Sequence, residues 1–353
     1  MPVRPFAPLA VLVVVACTSD NALVPGLDPR GGTTEVDAPP LVTTPPADPE
    51  LASLTGKVCA PDGDTTVAHA EVTVHHFQDS TAETNGLGTF QLFDLPPGTW
   101  DVTIVKGSFE AHRTVELVAG EVTRLTVDDC APLEQGETEI AVVTGDYDDI
   151  GALLSELHFD YDVVNGRTGT ALRDFLSDER ELAKYDVIFF NCGITNNWMQ
   201  DESEIAGNLR RYVRAGGSVY ASDWAYWLVE AGWPAEHDFA GTEAGFNGSL
   251  VGAAQRVQAE VRDEAMAEAL GGDRAELNYD LDGWAAMEAA PGAEILIRGE
   301  YQWYRGFSRQ TASGPLATRL YDGEGEVLYT SFHNEQQTTG DMLVLLQEII
   351  LSL

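Results

Sequence analysis

Positive charge is the scarcest property of this chain. Its 353 residues carry 20 lysines and arginines against 57 aspartates and glutamates, a formal net charge of −37. Lysine occurs only at Lys57, Lys106 and Lys184. Such a surface repels nucleic acid and anionic headgroups, so nucleic-acid binding and electrostatic attachment to a membrane are excluded. Cysteine is also scarce, at four residues. The apolar run Leu9 to Ala16 is far too short to span a bilayer, which needs about 20 residues. What is present in quantity is hydrophobic material, 44% of the chain, enough for sizeable cores. The length suits two domains.

The amino terminus reads as a secretory signal, with Arg4 as its positive region and Leu9 to Ala16 as its apolar region. It ends in Val14-Val15-Ala16-Cys17, which resembles the lipobox of bacterial lipoproteins. The resemblance implies cleavage of residues 1–16 and two acyl chains on Cys17, enough for stable anchoring. Thr18, in place of Asp, implies the outer membrane as the destination within the cell envelope. Removing Arg4 from the 20 basic residues leaves 19, a mature balance near −38, and solubility is the plain reading of that charge. Residues 17–50 are rich in Pro, Thr, Asp and Gly, bury little and read as a disordered tether.

Short alternating runs recur from 51 to 130, among them Ala70 to Val74, Phe90 to Leu92 and Trp100 to Ile104. Period-two alternation at this spacing predicts an antiparallel β-sandwich. Cys59 and Cys130 lie near its two ends, and in an oxidising compartment they are expected to form a disulfide. Cys192 is left over as a buried small residue. The pattern Gly56-x-Val58, Ala70-x-Val72-x-Val74 and Gly88-x-Phe90-x-Leu92-x2-Leu95-Pro96-Pro97-Gly98 resembles the carboxypeptidase regulatory-like family. That resemblance implies an accessory module without catalysis.

From 138 to 353 the rhythm changes. Continuously apolar strands at Ile140 to Thr144, Asp186 to Phe190 and Ser218 to Ala221 alternate with amphipathic helices, which predicts an α/β doubly wound parallel sheet. Beyond Trp233 the pattern loosens into Gly-rich loops, with strands expected near Arg256 to Val261, Glu294 to Arg298 and Leu316 to Tyr321, a core strand at Val327 to Ser331 and a closing helix from Asp341 to Leu353. Function in such a sheet is expected at the carboxyl ends of its strands. Ala221-Ser222-Asp223-Trp224-Ala225 turns from strand to helix with small residues two positions either side of Asp223, the expected apex.

These landmarks, with Phe332-His333-Asn334-Glu335 after the last strand, resemble the class I glutamine amidotransferase-like superfold, which is flavodoxin-like. The resemblance places Gly193 at an oxyanion-hole glycine and Asp223 where the family has its nucleophilic cysteine. A carboxylate is a far poorer nucleophile toward an amide, so amidotransferase activity is disfavoured. Cys192, on a different loop, is not expected to replace it. The leading expectation is a non-catalytic, membrane-anchored binding protein without cofactor. Trp224, Tyr226 and Asp146 are the candidate contacts to a cell-surface polysaccharide or protein. One alternative is a hydrolase using Asp223 with His333 and Glu335. Another is a divalent cation held by Asp146, Asp148, Asp149 and Asp223.

Overall fold

A computed structural model describes residues 48–126, 130–195, 203–240, 251–334 and 338–353. The expected signal peptide, Cys17 and most of the tether lie outside the described residues, as do Trp198 and Glu335. Among the described residues no helix is long and apolar enough to cross a membrane.

The first part is built from two small sheets. Strands β1 (Ala52–Cys59), β4 (Thr89–Leu95), β7 (Val122–Arg124) and β8 (Ala131–Pro132) form one, in which β1 pairs β4 antiparallel but β7 and β8 parallel, so the expectation of a wholly antiparallel sandwich is corrected. Strands β2 (Glu71–His75), β3 (Ser80–Glu83), β5 (Gly98–Lys106) and β6 (Phe109–Leu117) form the other, in the order β3-β2-β5-β6. The alternation has the expected cause: Val72 and Val74, and Val102 and Ile104, point inward while their neighbours face out. At the turn into β5, Gly98 has φ +144 and the Trp100 indole N–H donates to Pro96 O at 2.8 Å. Cys59 and Cys130 are bonded, as expected. Closing a loop of sequence separation 71 stabilises the fold by about 4 kcal/mol on loop entropy.

The second part is one nine-stranded sheet. Its strands are β9 (Ile140–Val143), β10 (Asp162–Val164), β11 (Val187–Phe190), β12 (Ser218–Ser222), β14 (Gln255–Val261), β15 (Arg274–Tyr279), β17 (Glu294–Arg305), β18 (Ser308–Asp322) and β19 (Gly325–Thr330). Two short strands, β13 (Asp238–Phe239) and β16 (Met287–Ala289), pair separately. The order is β10-β9-β11-β12-β19-β18-β17-β14-β15. The first five run parallel and the last four antiparallel. The expectation of a wholly parallel sheet is therefore corrected: the sheet is mixed. Residues 255–322 extend it with antiparallel pairing: the strands expected near Arg256 to Val261, Glu294 to Arg298 and Leu316 to Tyr321 are present within β14, β17 and β18, and β15 joins them. Their strands bury alternate residues, as in β15, so they lack the continuous apolar runs that mark strands covered on both faces.

The parallel strands divide their side chains between two cores. Ile140, Val142, Phe189 and Leu328 face α1 (Ile150–Glu156) and α7 (Gly340–Ser352). Ala141, Val143, Phe190, Val219 and Val327 face α2 (Gly169–Ser177), α3 (Glu179–Leu182), α4 (Ser203–Arg214) and α5 (Tyr226–Gly232). A further helix, α6 (Glu264–Leu270), joins β14 to β15.

The first core is continuous with that of the sandwich. Phe109 meets Phe159 at 4.4 Å between ring centroids, and Ser108 N–H donates to Leu353 O at 2.7 Å. Lys106 on β5 reaches Glu348 on α7 at 2.5 Å, with both side chains almost fully buried.

Candidate functional site

Register decides which loops meet. In the β11–β12 pair Phe190 lies opposite Ala221, so two residues onward the chain delivers Cys192 and Asp223 side by side. Ser222 lies opposite Thr330 in the β12–β19 pair, which brings His333 to the same place. Cys192 Sγ donates to Asp223 Oδ2 at 3.5 Å, and His333 Nε2 lies 3.4 Å from the same oxygen. The three side chains are buried or nearly so. Asp223 heads a single 3-10 turn with φ +41, the left-handed conformation expected at the apex of a sharp elbow. Ala221 and Ala225 flank it fully buried, where larger side chains would collide.

Cys192, read from the sequence as lying on a different loop and not replacing the nucleophile, is a spatial neighbour of Asp223. Their loops differ in sequence but leave adjacent parallel strands at the same level.

The segment before β16 locks the elbow. Ala285 N–H donates to Asp223 Oδ1 at 2.7 Å and the Trp224 indole donates to Gly283 O at 2.9 Å, while from β19 Tyr329 Oη donates to Asp223 O at 3.3 Å. Both carboxylate oxygens of Asp223 are therefore engaged.

Beneath the cluster lies a second carboxylate. Asp148 is buried, and it accepts from Ser222 Oγ at 2.5 Å and from the Asn334 N–H at 3.1 Å. The backbone N–H of Cys192 donates to it as well. Each donor is, or adjoins, one of the clustered residues. Burial raises the Asp148 carboxyl above its ordinary value, and the charge of His333 and these hydrogen bonds work against that rise. Burial, and next the charge of Asp223, push the Cys192 thiol well above its ordinary value. The thiol is the resting form at neutral pH, and a thiol is not the nucleophile.

The other acidic residues of the first loop go elsewhere. Asp146 pairs with Arg167 at 3.1 Å, and Asp149 caps α1 by accepting from Ala152 N–H. Among the described residues, the side chains grouped closely enough to share an ion are Cys192, Asp223 and His333, and Asp146, Asp148 and Asp149 are not in that group. Gly193 has φ +85, and a β-carbon there would meet Tyr147 Cδ2 at 2.7 Å. Tyr147, 41% exposed, packs edge-on against Trp224 at 4.8 Å. Tyr226, expected beside Trp224, is instead core: it is buried and its ring faces Phe239. Trp227, Trp233 and Trp284 are likewise buried.

Sequence reasoning missed Ala285 and Asn334, which act through backbone N–H groups that carry no residue signature. It also assigned Ser222 no role.

Residues 53–128 match the family model of the carboxypeptidase regulatory-like domain. The match spans the sandwich and stops short of the α/β sheet. Solved structures similar to the chain include a β-galactosidase from Bacillus circulans sp. alkalophilus, at 14% identity and TM-score 0.34, covering 61% of this chain and 30% of that one. PurLQS from Thermotoga maritima matches at 9% identity and TM-score 0.37, covering 61% and 98%. A cytoplasmic protein from Salmonella typhimurium LT2 matches at 11% identity and TM-score 0.37, covering 61% and 97%. The chain spans about a third of the length of the glycosidases it first matches. No curated protein matches it.

Proposed function

We propose that this chain is a lipoprotein of the bacterial outer membrane, anchored through Cys17, whose α/β domain binds a cell-surface polysaccharide without catalysis. The parallel strand order β10-β9-β11-β12-β19 follows the flavodoxin-like sequence second, first, third, fourth, fifth. That order supports descent from an amidotransferase-like fold. The observation that carries the non-catalytic reading is the engagement of Asp223. Oδ1 accepts from Ala285, while Oδ2 accepts from Cys192 and faces His333. Hydrogen bonds on both oxygens hold the carboxylate in place and lower its nucleophilicity toward carbon.

Polysaccharide is favoured over other ligands by the Tyr147–Trp224 pair at the carboxyl ends of the strands. An aromatic face of this kind covers the apolar face of a sugar ring, and the neighbouring polar groups supply orientation. The sandwich serves as a spacer and scaffold.

A hydrolase is the second reading, favoured by the 3.4 Å approach of His333 to Asp223, which is near the reach of an acid–base pair. In that reading Asp223 acts through the lone pairs that its contacts with Ala285 and Cys192 leave.

Pull-down on purified peptidoglycan sacculi and an array of bacterial polysaccharides tests the reading. Signal from the wild type that is lost in Trp224→Ala supports it, and no signal on any polysaccharide overturns it. Metabolic lipid labelling of the wild type but not of Cys17→Ser tests the anchor.

A further inference from the structure

We propose that Cys192, Asp223 and His333 form a binding site for a zinc-type transition-metal ion. The inference concerns a cation rather than a glycan, and it stands whether or not a polysaccharide binds.

Three donor atoms of different chemistry converge here, a thiol sulfur, a carboxylate oxygen and an imidazole nitrogen, all within 4.8 Å of one another. Tetrahedral zinc with its usual bond lengths would separate sulfur from oxygen by about 3.6 Å and nitrogen from oxygen by about 3.4 Å. The protein holds these pairs at 3.5 Å and 3.4 Å. The sulfur and nitrogen lie within 4.8 Å of each other, so those two donors close by up to about 1.2 Å to admit the ion.

The donor set also selects the metal. Sulfur with imidazole suits zinc and its neighbours, whereas calcium and magnesium take oxygen alone. Three protein ligands leave a fourth position for water or another ligand, the pattern of an open site rather than a closed structural one.

The ligands stand just beyond three adjacent parallel strands, and Asp148 clamps the backbone of Cys192 and the neighbours of the other two. Rigid elements and an outer shell of this kind are what hold a metal site in shape. On coordination the S–H bond breaks, the proton leaves to solvent and a sulfur–metal bond forms. Asp223 and His333 offer lone pairs and transfer nothing.

The test uses the full chain, freed of metal by chelation and titrated with cobalt(II). One equivalent is expected to produce a near-ultraviolet thiolate-to-cobalt charge-transfer band with the visible bands of tetrahedral cobalt, both abolished when zinc is added. Cys192→Ser, confirmed as folded by its circular dichroism, is expected to lose the charge-transfer band. His333→Asn is expected to bind cobalt more than roughly 100-fold more weakly, exceeding the losses typical of outer-shell changes. Absence of the band in the wild type overturns the proposal without any variant. A band that persists in Cys192→Ser places the cobalt elsewhere and overturns it too.

Discussion

Ser222 Oγ donates to Asp148 Oδ2 at 2.5 Å, and this contact joins the first loop of the sheet to the elbow that carries Asp223. The two residues are 74 apart in sequence. Both are buried, so the hydrogen bond is made to a carboxylate away from water. A bond of that kind contributes about 1.5–3 kcal/mol.

Ser222→Ala is therefore expected to lower the unfolding free energy by about 2 kcal/mol. A double-mutant cycle with Asp148→Asn is expected to show coupling of roughly 0.5–3 kcal/mol, because each change removes the other's partner. Urea denaturation of the four proteins measures it. Simple additivity would show that the two residues do not interact.

Lys106→Met addresses the joint between sandwich and α/β domain. It leaves Glu348 buried without its counter-charge, and breaking a buried pair costs about 3–5 kcal/mol. Burial already raises the Glu348 carboxyl, and the charge of Lys106 opposes that rise. Without the lysine the carboxyl rises further, so the folded state takes up a proton more readily than the unfolded one. The deficit of the variant is then full above the raised value and shrinks as pH falls through it. Denaturation at neutral and mildly acidic pH, compared with Lys106→Met/Glu348→Leu, reads this out. A deficit that does not change with pH contradicts it.

His237 sets an acid limit on stability. Burial lowers its imidazole from 6.5 to about 4, so it stays neutral in the folded protein while the unfolded chain protonates. Its contribution is present above the unfolded value and is lost as pH falls from 6.5 toward about 4, to the extent of roughly 3 kcal/mol. His237→Asn is expected to flatten the pH dependence of the thermal midpoint across that window. An unchanged slope would exclude His237 as its source.

The sheet was legible where periodicity is local. Ile140 to Val143 and Val187 to Phe190 are apolar throughout because both faces of each strand are covered. The mixed half was legible only as separate strands, because β14 and β15 bury one face only and their pairing crosses an intervening helix. At the site, Asp223 as apex could be read from the alanines around it. The neighbourhood of Cys192 could not, since it depends on Phe190 pairing with Ala221 across strands. Tyr226 and Trp224 are indistinguishable as aromatic residues of one turn, and only the fold buries Tyr226 on α5 while leaving Trp224, in the 3-10 turn, partly exposed.

Gly145 offers a steric probe of the same neighbourhood. A β-carbon there would stand 1.9 Å from Cys192 O, a backbone atom that cannot swing aside. Gly145→Ala is expected to cost about 1–3 kcal/mol as an overpacked change and to shift the loop carrying Cys192. Reaction of Cys192 with a thiol reagent should then quicken. A variant with wild-type stability and wild-type thiol reactivity would contradict the close approach.

The central claim is that the α/β domain holds its ligand and does not cut it. Its most direct test is the chromatographic recovery of a polysaccharide, captured by the protein from the array, after stoichiometric incubation with wild type, Trp224→Ala and Asp223→Asn. The account predicts intact polysaccharide from all three, retained by the wild type and not by Trp224→Ala. Polysaccharide shortened or de-esterified by the wild type, and left intact by Asp223→Asn, would contradict it.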